Sequence, residues 1–287
     1  MRRHDVFSGR RPVRSGGWEL FMNITLIIGL VVAFGGVLMG FTQEGGVLTN
    51  LLKLPAFMIV VGGTIGSAFI SFPIANIKRI PGAFKTMMFQ KKHDYPKLID
   101  MMCEIANKAR RDGLLSLESE ADKIKDPFIK KGLGYIADGA DPEFLKQLLN
   151  NEIEANFKNV EDAAKVMEGM GGTSPTMGVL GTVMGMTTVL GHMGSDTSKI
   201  GTEIAGAFIA TMYGVGIGNL IWLPLGNQMK VTAMHEAEHQ EIVMEGLMAI
   251  QAGEPAARLR DRLNAKVGEI GKKGQAKGAE RPAGTEA

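Results

Sequence analysis

Apolar positions along this chain gather into four charge-free runs, Leu20–Phe41, Leu54–Ile77, Pro175–Met193 and Ile204–Leu225. Each is close to the ~20 residues that an α-helix needs to cross a bilayer. The pattern therefore predicts an all-α integral membrane protein with four transmembrane helices and a helical cytoplasmic domain between the second and third. The third and fourth runs are joined only by residues 194–203, too short for a domain, so they form a second hairpin.

Between and after the hairpins the period changes. Asp126-Pro127 and Asp141-Pro142-Glu143 each place an acid at a helix N-cap with proline at the first helical position. From the second cap, Leu145, Leu148, Leu149, Ile153, Phe157 and Val160 recur at three and four residues, one apolar stripe on a long helix that runs toward the membrane. A break is expected at Gly169, Gly171 and Gly172, just before Pro175. Further helices are expected over Met229–Ile250 and Arg258–Val267, and disorder over 271–287. The organisation is then a basic extension (1–19), a first hairpin (20–77), a cytoplasmic domain (78–172), a second hairpin (173–228), cytoplasmic helices (229–270) and a tail (271–287).

Charge placement orients this arrangement. Arg2, Arg3, Arg10, Arg11 and Arg14 precede the first run, Lys78, Arg79 and Lys85 follow the second, and Thr42–Lys53 between them holds only Glu44 and Lys53. Both termini are expected in the cytoplasm by the positive-inside rule. The first apolar run is too long for a signal peptide and lacks a small-residue cleavage site, and Met22 reads as an internal start. Overall balance, 32 basic against 30 acidic residues, gives no case for nucleic acid. With 45% apolar residues and 38 glycines, the composition suits packed membrane helices. The lone Cys103 excludes an internal disulfide and reads as an ordinary reduced thiol.

The second hairpin carries the candidate chemistry. It has threonines at Thr182, Thr187, Thr188 and Thr211 and no acid within either run. Intramembrane ionisable groups mark ion paths, so a hydroxyl-lined pair without one points to an acid supplied by a partner. The plainer reading is that each threonine bonds back to its own helix. Pro175 and Pro224 are candidate kinks, or simple helix ends. Glycines at four-residue spacing, Gly36/Gly40, Gly62/Gly66 and Gly181/Gly185, are candidate close contacts. Gly206, Gly214, Gly216 and Gly218 would give the fourth helix a smooth face.

His235-Glu236-Ala237-Glu238-His239 fits H-E-x-x-H, which would make a membrane zinc protease a remote alternative, against a solvated amphipathic helix. No third ligand is apparent among His4, His93 and His192. In the cytoplasmic block, Lys108, Arg110 and Arg111 precede a glycine break at Gly113 and an acid at Glu118. That is either a solvated helix end or a charge-patterned protein contact.

The runs Ala109–Glu118 (ARRDGLLSLE), Ser174–Gly185 (SPTMGVLGTVMG) and Ala210–Pro224 (ATMYGVGIGNLIWLP) resemble the MotA/PomA stator family of the bacterial flagellar motor, within the wider MotA/TolQ/ExbB family. TolQ and ExbB proteins look like a three-span version, an alternative energising role that four spans disfavour. The resemblance implies a non-enzymatic cation channel in the inner membrane that turns ion motive force into torque, with five copies around two single-span MotB/PomB-type partners whose aspartate carries the ion. It also implies that Arg110 or Arg111, with Glu118, engages the rotor protein FliG. Glu152 would be an acid near the inner mouth, Pro175 and Pro224 would couple conformation to ion flow, and Thr182 and Thr211 would face the partner's aspartate. No cofactor is implied beyond the transported H+ or Na+, and threonine at both positions leans toward sodium.

Overall fold

The computed structural model describes residues 18–88, 93–192 and 200–279, with side chains from 26 to 270 of these. It divides into two units, Met1–Gly46 and Val47–Ala287. The first contains α1 (Trp18–Gln43), apolar over Leu26–Gln43 and followed by Gly45 at φ +84°.

The second unit is a chain of helices. A short 3-10 turn, Leu48–Leu51, leads into α2 (Leu54–Ser71), which carries a π-turn at Met58–Gly62. Phe72, extended at φ −124° and ψ 143°, ends α2, as expected for a residue before proline. There follow α3 (Ile74–Met88), α4 (Tyr95–Asp112), α5 (Leu117–Ala121), α6 (Pro127–Ala137), α7 (Pro142–His192), α8 (Ile200–Gln251) and α9 (Ala256–Ala279). No strand occurs among the described residues.

The expected caps form. Asp126 accepts from the Phe128 and Ile129 amides at 2.9 and 3.3 Å, and Asp141 accepts from those of Glu143 and Phe144 at 3.0 and 3.1 Å. Leu145, Leu149 and Ile153 of the apolar stripe are buried against a core with Met102, Leu133 and Leu247 from α4, α6 and α8. Burying each such side chain stabilises by about 1.5–3 kcal/mol. A second cluster joins α3, α7 and α8 through Met87, Met167 and Met229, and Arg79 on α3 pairs with Asp162 on α7 at 2.7 Å.

Two expected interruptions do not occur. α7 is one helix of 51 residues and passes through Gly169, Gly171 and Gly172 without a break. Packing outweighs the low helix propensity of glycine here: a Cβ at Gly169 would stand 2.7 Å from the Phe72 ring, and one at Gly171 would stand 2.4 Å from Leu223. α8 likewise fuses the fourth apolar run with the amphipathic stretch after it, and continues past Pro224. Pro175 and Pro224 therefore lie within helices and terminate neither. A third difference is at the C-terminus, where α9 continues to Ala279 through part of the segment expected to be disordered. Gln275, Ala276 and Lys277 are strong helix formers that extend a helix already nucleated, while 280–287 lie outside the described residues.

Among the described residues, three helices are long and apolar enough to cross a membrane: α1 over Leu26–Gln43, α2, and α8 within Ile200–Gln251. The charge-free run inside α7 is not among them, because glycine, threonine and His192 dilute its apolar residues.

Candidate functional site

α7 and α8 meet along a seam of small residues. A Cβ at Gly178 would lie 2.9 Å from the Ala210 carbonyl and 3.1 Å from Thr211 Cα, and one at Gly214 would lie 2.7 Å from both Gly178 Cα and the Ser174 carbonyl. Further along, Gly185 faces Ala207 and Gly218 faces Gly171. Only glycine fits where backbone meets backbone at such range. The seam recurs every seven residues on α7, at Gly171, Gly178 and Gly185, a longer period than the four-residue spacing expected to mark close contacts. Of the four-residue pairs, Gly181/Gly185 is packed, whereas Gly62 and Gly66 face open space, as Gly36 and Gly40 do within their own unit. The smooth face expected on α8 is also divided: Gly214 and Gly218 are packed, and Gly206 and Gly216 are open.

Thr182 and Thr211 meet across this seam, both half-buried, with their hydroxyl oxygens 2.5 Å apart. Thr182 Oγ1 also reaches the Ala207 carbonyl on α8 at 2.9 Å and the Gly178 carbonyl on its own helix at 3.1 Å. A hydroxyl has a single proton. If Thr182 donates to a carbonyl, Thr211 donates to Thr182, and this chain of two donors ends on the backbone. Thr187 and Thr188 instead bond back to the Met184 carbonyl at 2.7 and 3.3 Å. Beside the pair, a cavity of about 660 Å³ lies between α2, α7 and α8, lined by Lys53, Ile59, Gly181, Thr188, Glu203 and Ala210. Tyr213, less than one helix turn from Thr211 in sequence, bonds through its hydroxyl to the Leu51 carbonyl and the Lys53 amide, and its ring meets Phe57 edge-on at 6.1 Å. Sequence reasoning missed this tie; one of only 3 tyrosines, inside an apolar run, was its signal.

Backbone irregularities on the two helices sit at one level. Pro175 has no N–H, so the Gly171 carbonyl lacks its usual helical donor. That carbonyl lies 3.0 Å from where a Cβ at Gly218 would stand, and Gly218 opens the π-turn Gly218–Trp222 that precedes Pro224. The fully buried Ser174 hydroxyl has no hydrogen-bond partner among the described residues. A proline-freed carbonyl, a π-turn and an unpaired hydroxyl mark a place of low resistance to bending.

Arg110, Arg111 and Glu118 are all exposed on a tight bend between α4 and α5. Gly113, at φ +85°, makes the turn, and Ser116 Oγ donates to its carbonyl at 2.6 Å. Glu120 braces the bend by pairing with Lys108 and with Lys123, the latter at 2.8 Å. The Lys108 hydrogen bond, then that of Lys123, holds the Glu120 carboxyl below the usual carboxylate range. Arg111 leans on Asp112 at 3.1 Å, whereas Arg110 and Glu118 make no ion pair with any described residue. Glu152 sits elsewhere: it pairs with Lys131 of α6 at 2.6 Å, roughly 35 Å along α7 from Pro175 at 1.5 Å per residue.

The H-E-x-x-H residues do not assemble a metal centre. His235 is exposed and pairs with Glu238 at 3.2 Å, Glu236 pairs with His93 at 3.0 Å, and buried His239 stacks on His93 at 3.7 Å between ring centres. Among the described residues no group of three potential ligands gathers. Burial raises the Cys103 pKa, which keeps that side chain a neutral thiol.

Residues 120–242 match the MotA/TolQ/ExbB proton channel family, and residues 27–113 match the Motility protein A N-terminal family. Motility protein A of Bacillus subtilis is 32% identical over 84% of this chain and 90% of its own length, and that of Cereibacter sphaeroides is 34% identical over 84% and 94%. Among solved structures, C. jejuni MotAB superposes with a TM-score of 0.79 at 27% identity, covering 85% of this chain and 95% of that one. The flagellar MotAB stator complex of Bacillus subtilis gives 0.76 at 33% identity, covering 83% and 93%.

Proposed function

The chain belongs to the MotA/TolQ/ExbB proton channel family as a flagellar stator subunit of the inner membrane rather than an enzyme, and we propose that its second hairpin is one wall of a cation path completed by a MotB/PomB-type partner. The carrying observation is the Thr182–Thr211 pair, held at a glycine seam in two runs that contain no acid. A carboxylate presented by a single-span partner would accept from Thr211 once that hydroxyl turns away from Thr182. A bare cation would instead take the hydroxyl lone pairs. Protonation or cation binding at the partner's carboxylate then changes what the threonines hold, and the ring of subunits shifts against the partner. Each ion crossing supplies about 2.3 kcal/mol per 100 mV.

In this reading the chain crosses the membrane four times with both termini in the cytoplasm, and five copies surround two partner chains. The bend carrying Arg110, Arg111 and Glu118 meets the rotor protein FliG. Pro175 and Pro224 flank the π-turn level at which the helices bend, and Glu152 stabilises the cytoplasmic block through Lys131. The match of residues 27–113 to a motility-specific family favours the flagellar branch over a TolQ/ExbB-type energising role.

The test is ion flux and swimming speed in a motile host that depends on this chain. Thr211→Ala removes a hydrogen bond to a charged group, worth about 1.5–3 kcal/mol, so flux should fall roughly ten- to hundredfold. Flux equal to the parent in both Thr182→Ala and Thr211→Ala would remove the threonine pair from the path. At fixed pH, speed should rise with external sodium; a speed that ignores sodium and follows the pH gradient assigns protons instead.

A further inference from the structure

The hydroxyl of Ser174 differs from every other hydroxyl on α7. Thr173, Thr176, Thr182, Thr187 and Thr188 each lie within hydrogen-bond reach of a carbonyl three or four residues earlier, at 2.6–3.3 Å. Ser174 does not, although it is fully buried and the carbonyl three residues before it, that of Gly171, is the one that Pro175 leaves without its usual amide donor. Reach is not the obstacle, since Thr176 and Thr187 on the same helix bond to carbonyls at that spacing. α8 presses on this turn instead. A Cβ at Gly218 would stand 3.0 Å from the Gly171 carbonyl, 3.1 Å from Pro175 Cδ and 3.3 Å from Ser174 Cβ, which leaves no room for a bridging water. Across the seam, the π-turn that Gly218 opens ends at Trp222, whose indole Nε1 is likewise buried without a partner among the described residues. A buried donor left unpaired is costly, and native proteins rarely keep one without a use.

A donor without an acceptor thus sits one turn from an acceptor without its donor, and only the rotation of one side chain separates them. Serine hydroxyls that bond back along a helix also tend to bend it. Resting on the reading of this chain as an ion-driven stator subunit, we propose that Ser174 is a positioning residue for the coupling step: as α7 bends at Pro175 and draws away from Gly218, the Ser174 hydroxyl turns onto the Gly171 carbonyl and holds the bent form. The exchange converts one orphaned donor into one hydrogen bond, with no group entering or leaving. It offsets part of the packing that the seam loses on bending. The two conformations are thereby brought close enough in free energy for a single ion event to select between them. Ser174 touches no ion in this scheme, since Thr182 lies more than two turns further along α7.

The experiment uses the full chain assembled with its membrane partner, in a motile host for swimming speed and in nanodiscs for thermal unfolding. Ser174→Ala should raise the unfolding temperature, because the orphaned hydroxyl is gone. The same variant should lower the maximum speed roughly two- to tenfold, the effect of one neutral hydrogen bond lost from the bent form. The external level of sodium or protons that gives half-maximal speed should stay at the parent value, because the hydroxyl does not contact the ion. Ser174→Cys separates donor from volume: the thiol fills the space of the hydroxyl but donates weakly, so speed should fall as it does in Ser174→Ala. A hydroxyl that already holds the present conformation together would give a lower unfolding temperature in Ser174→Ala, and that result would overturn the proposal. Parent speed in either variant, or a shifted half-maximal ion level, would do the same. Failure of the threonine reading is a distinct outcome, since it shows as unchanged flux in Thr182→Ala and Thr211→Ala, whereas the Ser174 variants are read with both threonines in place.

Discussion

At Gly214 the two helices of the seam leave no room for a methyl group, since the neighbours within 2.9 Å of its Cβ position are all backbone atoms. Backbone cannot rotate away as a side chain can, so Gly214→Ala must push α8 off α7. We expect it to destabilise the hairpin by about 1–3 kcal/mol, seen as a lower unfolding midpoint and a weaker Thr182–Thr211 contact. Gly216→Ala is the control, because its Cβ meets open space. That change should be neutral or stabilise by up to about 1 kcal/mol, the helix propensity difference between the two residues. An equal loss at both positions would refute the seam as the cause. Glycine abundance was legible in the chain, but which glycines touch was not. A glycine facing outward and one facing a partner helix have the same letter, and only the register of α7 against α8 separates Gly214 and Gly218 from Gly206 and Gly216.

Among whole elements, the α4–α5 bend combines exposed charges with a rigid frame. Its brace depends on an ionised Glu120, whose carboxyl titrates below its ordinary range because of Lys108 and Lys123. A depressed acid contributes stability that is present above the unfolded value, about 4.3, and is lost as pH falls through the lower folded value. Protection of the 113–120 amides from hydrogen exchange, corrected for intrinsic rates, should therefore drop as pH falls below about 4. Glu120→Gln should show the loose bend at neutral pH and no further drop on acidification. The caps at Asp126 and Asp141 were readable because capping is local chemistry within three residues. The continuity of α7 was not, because the contacts packed on its glycines come from Phe72 and Leu223, remote in sequence from Gly169 and Gly171. Thr182 and Thr211 were legible as residues, while their direct bond depends on that same distant packing.

For the molecule as a whole, the proposed topology predicts that a reporter fused at either terminus is cytoplasmic, and that a cysteine placed at Thr202 is labelled from outside the cell. Labelling of Thr202→Cys only from the cytoplasmic side would invert the arrangement. Reversing both charges, Arg110→Glu with Glu118→Lys, should reduce torque under load while ion flux and membrane insertion persist; normal speed of tethered cells would separate this bend from the rotor. The 51-residue length of α7 gives that separation of roles a mechanical meaning. At 1.5 Å per residue, the segment from Pro142 to Pro175 is a lever arm of about 50 Å. A tilt of about 5° at the proline would sweep its far end through roughly 4 Å, about the diameter of a side chain, so that a rearrangement no larger than one hydroxyl turning in the membrane becomes a stroke wide enough to displace another protein.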